Sequence, residues 1–106
     1  MMPEPIEQAL HLAGVLLVFE TTEILAIPVF EFQVLYKGED SPYEIERQNF
    51  SFLVSTATVF DESIQDGNVF TMDDSVYNYS FTVERLVPDM TGWTEMYCIF
   101  TGKESV

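Results

Sequence analysis

Residues 66–100 read Asp66-Gly67-Asn68, then Val69-Phe70-Thr71-Met72, then Asp73-Asp74-Ser75, a β-rich run from Val76 to Val87, Pro88-Asp89-Met90-Thr91-Gly92, and finally Trp93 to Phe100. The order is turn, strand, tight turn, strand, turn, strand. Tyr77, Tyr79, Phe81 and Val83 alternate with Asn78, Ser80, Thr82 and Glu84. Such period-2 alternation describes a strand with one buried and one wet face. Strands this close in sequence, separated by polar turn chemistry, pair antiparallel. The C-terminal third therefore predicts a three-stranded meander. Its long strand changes phase at Glu84-Arg85, where Leu86 takes over the apolar parity, and a one-residue slip marks a β-bulge. In the last strand Met96, Cys98 and Phe100 share one face, with Tyr97 and Ile99 on the other.

Working outward, Asn49 to Ser55 gives a third strand with Phe50, Phe52 and Val54 facing one way; Ala57 to Phe60 reads as its extension, and residues 61–66 as a connection with room for one helical turn. Lys37 to Arg47 is polar, contains Gly38 and Pro42, and predicts a long loop of the kind that carries function. Ile24 to Tyr36 predicts a long strand, apolar on both faces at first and then alternating through Phe30, Phe32, Val34 and Tyr36; Pro28 marks an edge or bulge in it. Glu20 to Glu23 reads as a turn, and Val15 to Phe19 as the first strand. Residues 1–14 predict a short helix, with Pro5 in its first turn, Ile6, Ala9, Leu10 and Ala13 on one apolar face and Gly14 as its stop. The predicted core joins Phe30, Phe32, Val34, Phe50, Phe52, Val54, Tyr77, Tyr79, Phe81, Val83, Met96, Cys98 and Phe100.

The 106 residues amount to one domain. An apolar fraction of 47%, with nine Phe, five Tyr and one Trp, excludes disorder and favours β structure. Eighteen acidic residues against four basic ones give a formal charge of −14. Nucleic-acid binding needs a basic footprint, so this balance predicts repulsion from DNA, RNA and anionic membranes. One cysteine, Cys98, allows no intrachain disulfide and fits a reducing compartment, or a secreted fold that needs no staples. The run Leu12–Phe19 is too short to span a bilayer and follows Glu4 and Glu7 rather than Lys or Arg, so the expectation is a soluble, unprocessed chain.

Candidate chemistry is sparse. His11, the lone histidine, has no Ser or Cys partner nearby in sequence and reads as a helix-surface or interface residue. Cys98 reads as a buried structural thiol. Asp61 to Met72 has calcium-loop length, but its sixth position is Asp66 instead of glycine and its twelfth is Met72 instead of glutamate, so no metal is assigned. Asp73 and Asp74 read as turn residues rather than a catalytic carboxylate pair. No phosphate loop, zinc spacing or nucleotide fingerprint is present. The expectation is an interaction protein, not an enzyme, with no cofactor.

The phrase Asp66-Gly67-Asn68-Val69-Phe70-Thr71-Met72, a turn, Val76-Tyr77, a β run, Val87-Pro88-Asp89, Gly92 and a final apolar strand resembles the C-terminal half of head–tail joining (tail attachment, head closure) proteins of tailed bacteriophages. The likeness covers residues 66–100 as residues and 15–100 as a layout. It implies a small antiparallel β-barrel or sandwich over 15–100, preceded by a short helix and carrying one long loop. It further implies a homo-oligomeric ring in the virion neck, made in the host cytoplasm, between the connector or adaptor proteins and the tail terminator. Such a ring closes the head, docks the tail and leaves a channel through which DNA passes unbound. Tail terminators and other tail-tube-end proteins share similar small folds. On this reading Tyr43, Glu44, Ile45, Glu46 and Arg47 are expected at subunit contacts, and Glu39, Asp40, Asp61, Glu62, Asp73 and Asp74 along the channel. A reading of a different class, an acidic inhibitor that mimics DNA, follows from the charge alone.

Overall fold

The computed structural model describes residues 4–29, 49–73 and 77–105. Their order is α1 (Glu4–Ala13), β1 (Val15–Phe19), β2 (Thr22–Pro28), β3 (Asn49–Ser55), α2 (Thr56–Asp61), β4 (Val69–Asp73), β5 (Tyr77–Pro88) and β6 (Trp93–Ser105). The strands close into an antiparallel barrel in the order β1-β2-β3-β6-β5-β4. The chain is thus mainly β, a small barrel behind a short N-terminal helix, and the meander is β4-β5-β6. Phe30, Phe32, Val34, the loop 37–47 and Asp74-Ser75 lie outside the described residues.

Alternation decides which side chains fill the barrel. Leu17, Phe50, Phe52, Val54, Phe70, Met72, Tyr79, Phe81, Val83, Met96 and Cys98 are all buried. Phe81 sits among four other rings: it stacks on Phe70 at 5.3 Å, meets Phe52 and Phe50 edge-on at 5.3 and 5.7 Å, and lies 5.5 Å from Phe100. Edge-on and offset arrangements of this kind each add about 0.5–1.5 kcal/mol beyond burial. Tyr77, expected in the core, is only half-buried and packs against its margin, because it starts its strand at the barrel's rim.

Two register shifts let β5 and β6 bend around so narrow a core. At the first, Val83 pairs with Cys98 and Arg85 with Tyr97, leaving Glu84 as the extra residue where the sequence predicts a bulge. At the second, Ser80 pairs with Gly102 and Phe81 with Phe100, so Thr101 is extra. Bulges of this sort sharpen local twist and serve barrel closure. The last strand continues past Phe100, its expected end, to Ser105.

α1 carries Glu4 and Glu7 in its first turn and buries Ile6 and Leu10, one turn apart, as it packs on β2. Ala13, expected on that face, is exposed at the helix end. Gly14 ends the helix by donating its N–H to the Leu10 carbonyl at 2.8 Å; a Cβ at Gly14 would lie 2.3 Å from that oxygen. Only glycine permits this direct entry into β1. The turn that follows is tighter than expected: Phe19 pairs with Thr22, so only Glu20 and Thr21 lie outside the ladder and β2 begins at Thr22.

Residues 57–60 overturn the expectation of a strand extension. They are helical, in α2, and the helical turn expected over 61–66 comes earlier in the chain. Thr56, Thr58 and Val59 favour strand locally. Tertiary position overrides them, because the barrel must be closed at this end. The Thr56 N–H donates to the Gly92 carbonyl at 2.9 Å, its hydroxyl meets that of Thr94 at 2.8 Å, and Val59 turns onto the core.

Phe81→Ala is expected to cost about 3–5 kcal/mol in denaturant unfolding, as large aromatic truncations in close-packed interiors do. A loss below about 1 kcal/mol, typical of surface positions, would contradict the central place given to this ring.

Candidate functional site: an acidic groove at one end of the barrel

Of the carboxylates expected along a channel, the three described ones, Asp61, Glu62 and Asp73, do not sit side by side within one chain. Asp61 and Glu62 close α2, directly after Ser55, which pairs with Trp93 at the start of β6. Asp73 ends β4 opposite Asn78, whose other partner is Glu104 near the end of β6. The two sets occupy opposite ends of the barrel. All three residues are exposed, and the Asp73 carboxylate accepts the side-chain amide of Asn78. Glu39, Asp40 and Asp74, with Tyr43, Glu44, Ile45, Glu46 and Arg47, lie outside the described residues.

The end that holds Asp61 and Glu62 is built from α2 and the chain after it. The Ile64 N–H donates to the Val59 carbonyl at 3.0 Å and the Ser63 N–H to the Phe60 carbonyl at 3.3 Å. This is a Schellman-type helix ending, with Ser63 at φ 52 in the left-handed position that glycine usually holds. It drops Ile64 into the core as a plug. Gly67, at φ 89, then reverses the chain into β4, donating its N–H to the Val83 carbonyl at 2.7 Å.

Between this connection and the β1–β2 hairpin lies a cavity of about 470 Å³ that includes Phe19, Glu20, Ile24, Glu62, Asn68 and Val69 in its lining. A second, of about 460 Å³, lies between α1, β2 and α2 and includes Glu7, Leu10, His11, Glu23, Leu25 and Thr58. Both are bounded by Ile24 and Glu62, so the two adjoin along a shared edge, and the pair makes up the groove at this end of the barrel. Volumes of this size suit a small ligand or a few side chains. The only two non-glycine residues with positive φ among those described, Glu20 and Ser63, both line the first cavity. Backbone strain of this kind gathers at functional sites.

The groove is anionic. Glu7, Glu20, Glu23 and Glu62 line it, and none of its described lining residues is Lys or Arg. Asp61 and Glu62 also stand at the C-terminal end of α2, where the helix dipole favours cations, and no basic residue occupies its last turn. The described cations sit elsewhere: the Arg85 guanidinium lies 4.5 Å over the Tyr97 ring and the Lys103 ammonium 4.5 Å over that of Tyr77. A hydrogen bond with Glu95 is the main cause holding the Tyr97 hydroxyl above its ordinary pKa.

The remaining sequence candidates have structural roles. His11 is exposed on α1, 3.9 Å from Glu7, a surface pair of little energetic weight. Cys98 is fully buried; burial first, and the Glu84 charge second, push its thiol far above the usual range, so it is held as the neutral thiol. Asp89 organises the Pro88–Gly92 turn: its carboxylate accepts the Thr91 hydroxyl at 2.6 Å and the Thr91 and Trp93 N–H groups at 2.7 and 3.2 Å. The Thr91 hydroxyl bond is the largest cause of its lowered pKa. Among the described residues no group of three or more His, Cys, Asp or Glu is placed to hold a metal ion. The sequence shows the acids of the groove but not their convergence, which depends on α2 being a helix.

Two substitutions at the groove test this account. Ser63→Gly relieves the left-handed backbone and is expected to raise stability by about 0.5–1 kcal/mol in urea unfolding. A loss would show that the serine side chain outweighs the strain. Glu62→Lys places a cation at the helix C-terminus and is expected to raise the melting temperature by about 2–4 °C at low salt, less as salt screens it. No gain at low salt would contradict the dipole argument.

Comparisons with protein-family models, with curated proteins and with solved structures give no match.

Proposed function

We propose that the chain is a structural subunit of the head–tail neck of a tailed bacteriophage, assembling as a ring around a DNA channel. The observation that carries the proposal is a set of large apolar side chains held out from an acidic barrel. Leu12 on α1 is 88% exposed, Phe60 on α2 78% and Met90 at the tip of the β5–β6 turn 103%. Copies of a chain with formal charge −14 repel one another, so a stable ring needs apolar contacts to offset that repulsion. The Asp89 turn, part of the phrase that carries the phage resemblance, holds Met90 ready for such contact. The interior is packed with aromatic rings, so the channel of this ring runs between subunits and not through the barrel. Because Asp61 and Glu62 lie at the opposite end from Asp73, acids along the whole channel require the barrel's long axis to follow the ring axis. A wall of like charge leaves DNA free to slide, whereas a basic one would hold it by counterion release. A ring at the end of the tail tube is the near alternative.

Salt titration tests the assembly. Raising ionic strength screens repulsion beyond about 8–10 Å and is expected to promote rings in negative-stain microscopy and larger species in analytical ultracentrifugation. Phe60→Ser combined with Met90→Ser is expected to weaken those rings while leaving the monomer's circular dichroism unchanged. Assembly that falls with added salt, or is indifferent to both serines, would overturn the reading. A chain that stays monomeric in all salts and captures a basic nucleic-acid-binding protein would be the DNA mimic instead.

A further inference from the structure

We propose that the groove between α1, the β1–β2 hairpin and the α2–β4 connection docks a cationic segment of a different polypeptide, one presenting Lys or Arg on either side of an apolar side chain. The inference is separate from ring assembly and holds whether or not the chain forms rings.

The groove's own chemistry selects this occupant. Its apolar lining includes Phe19, Ile24, Leu25 and Val69, the last of these 55% exposed. An apolar side chain entering there gains burial that water denies it. Its acidic lining is Glu7, Glu20, Glu23 and Glu62, and Glu62 belongs to both cavities, at the end of a helix whose dipole adds to its attraction for a cation. A Lys or Arg beside the apolar anchor would therefore meet Glu62 together with Glu20 on one side or Glu23 and Glu7 on the other.

A second copy of this chain is a poor occupant. It has four basic residues in all; Arg85 and Lys103 already lie over tyrosine rings on the β5–β6 wall, and in sequence Lys37 and Arg47 flank Glu39, Asp40, Glu44 and Glu46. A nucleic acid or an anionic membrane would be repelled by the same carboxylates that favour a basic peptide. Complementary charge of this kind steers encounter and fixes register, while the apolar anchor supplies residence.

The test uses the full chain and a capped Lys-Leu-Lys-Leu-Lys peptide, followed by isothermal titration calorimetry and by amide NMR shifts. Saturable binding is expected, with shifts concentrated at Ile24, Leu25, Asn68 and Val69. Glu23→Gln with Glu62→Gln is expected to weaken binding at least about tenfold, and Val69→Ser to weaken it without changing its salt dependence. Glu84→Gln with Glu104→Gln removes the same charge from the β5–β6 wall and is expected to change affinity less than about twofold. Equal weakening by the two double variants would reduce the effect to general attraction by an acidic protein and overturn the site. So would shifts centred elsewhere, equal affinity for a Lys-Ser-Lys-Ser-Lys peptide, or no saturable binding.

Discussion

The structure depends on filling a narrow barrel. Closing six strands leaves an interior that only side chains can occupy, and here aromatic rings occupy it, with Phe81 touching Phe50, Phe52, Phe70 and Phe100. Flat strands could not surround rings of that size. The β5–β6 ladder therefore gives up regular pairing twice, at Glu84 and at Thr101, and the bends keep Phe81, Val83, Cys98 and Phe100 pointing inward. The open end requires a plug, which Ile64 supplies. For Ile64 to reach the core, α2 must end abruptly, and Ser63 takes a left-handed conformation to end it. The strained rim of the groove is thus a consequence of how the barrel is sealed.

The same packing explains which parts of the fold were readable from residues. Alternation in β3, β5 and β6 was legible because each has one face on the core, and the slip at Glu84-Arg85 was legible because it breaks that alternation. The second bulge was not, since Thr101 and Gly102 lie past the last apolar position and leave no phase to compare. α2 is not legible in the sequence because Thr56, Thr58 and Val59 carry strand propensity, and a long-range constraint, the Gly92 carbonyl beside Thr56, turns the chain there. The apolar character of both faces of β2 was visible without its cause: α1 packs on this strand and buries Ile6 and Leu10 against it.

Charge was legible as a sum and not as a distribution. A formal −14 excludes a basic footprint, yet does not say that Glu7, Glu20, Glu23 and Glu62 converge while Asp73 stands at the far end. Convergence follows from the packing of α1 on β2, together with the two-residue turn at Glu20-Thr21 and the helical ending at Glu62. Nor does composition show that Arg85 and Lys103 are drawn over tyrosine rings on the β5–β6 wall, away from the groove.

Those placements constrain any partner. An acidic protein that placed its cations beside its carboxylates would neutralise them internally and present a bland surface. Here the described cations, Arg85 and Lys103, are absent from the lining of the groove. It also sets Asp61 and Glu62 at a helix end that favours the opposite sign, an arrangement that costs stability in the isolated molecule. Local rules broken without local compensation are characteristic of surfaces that meet something else. Repulsion between copies must be offset by apolar contact, as at Leu12, Phe60 and Met90, whereas the groove gains most from a cation, which none of its described lining residues supplies. The two kinds of surface therefore respond oppositely to salt: screening favours self-association through the apolar side chains and weakens docking in the acidic groove.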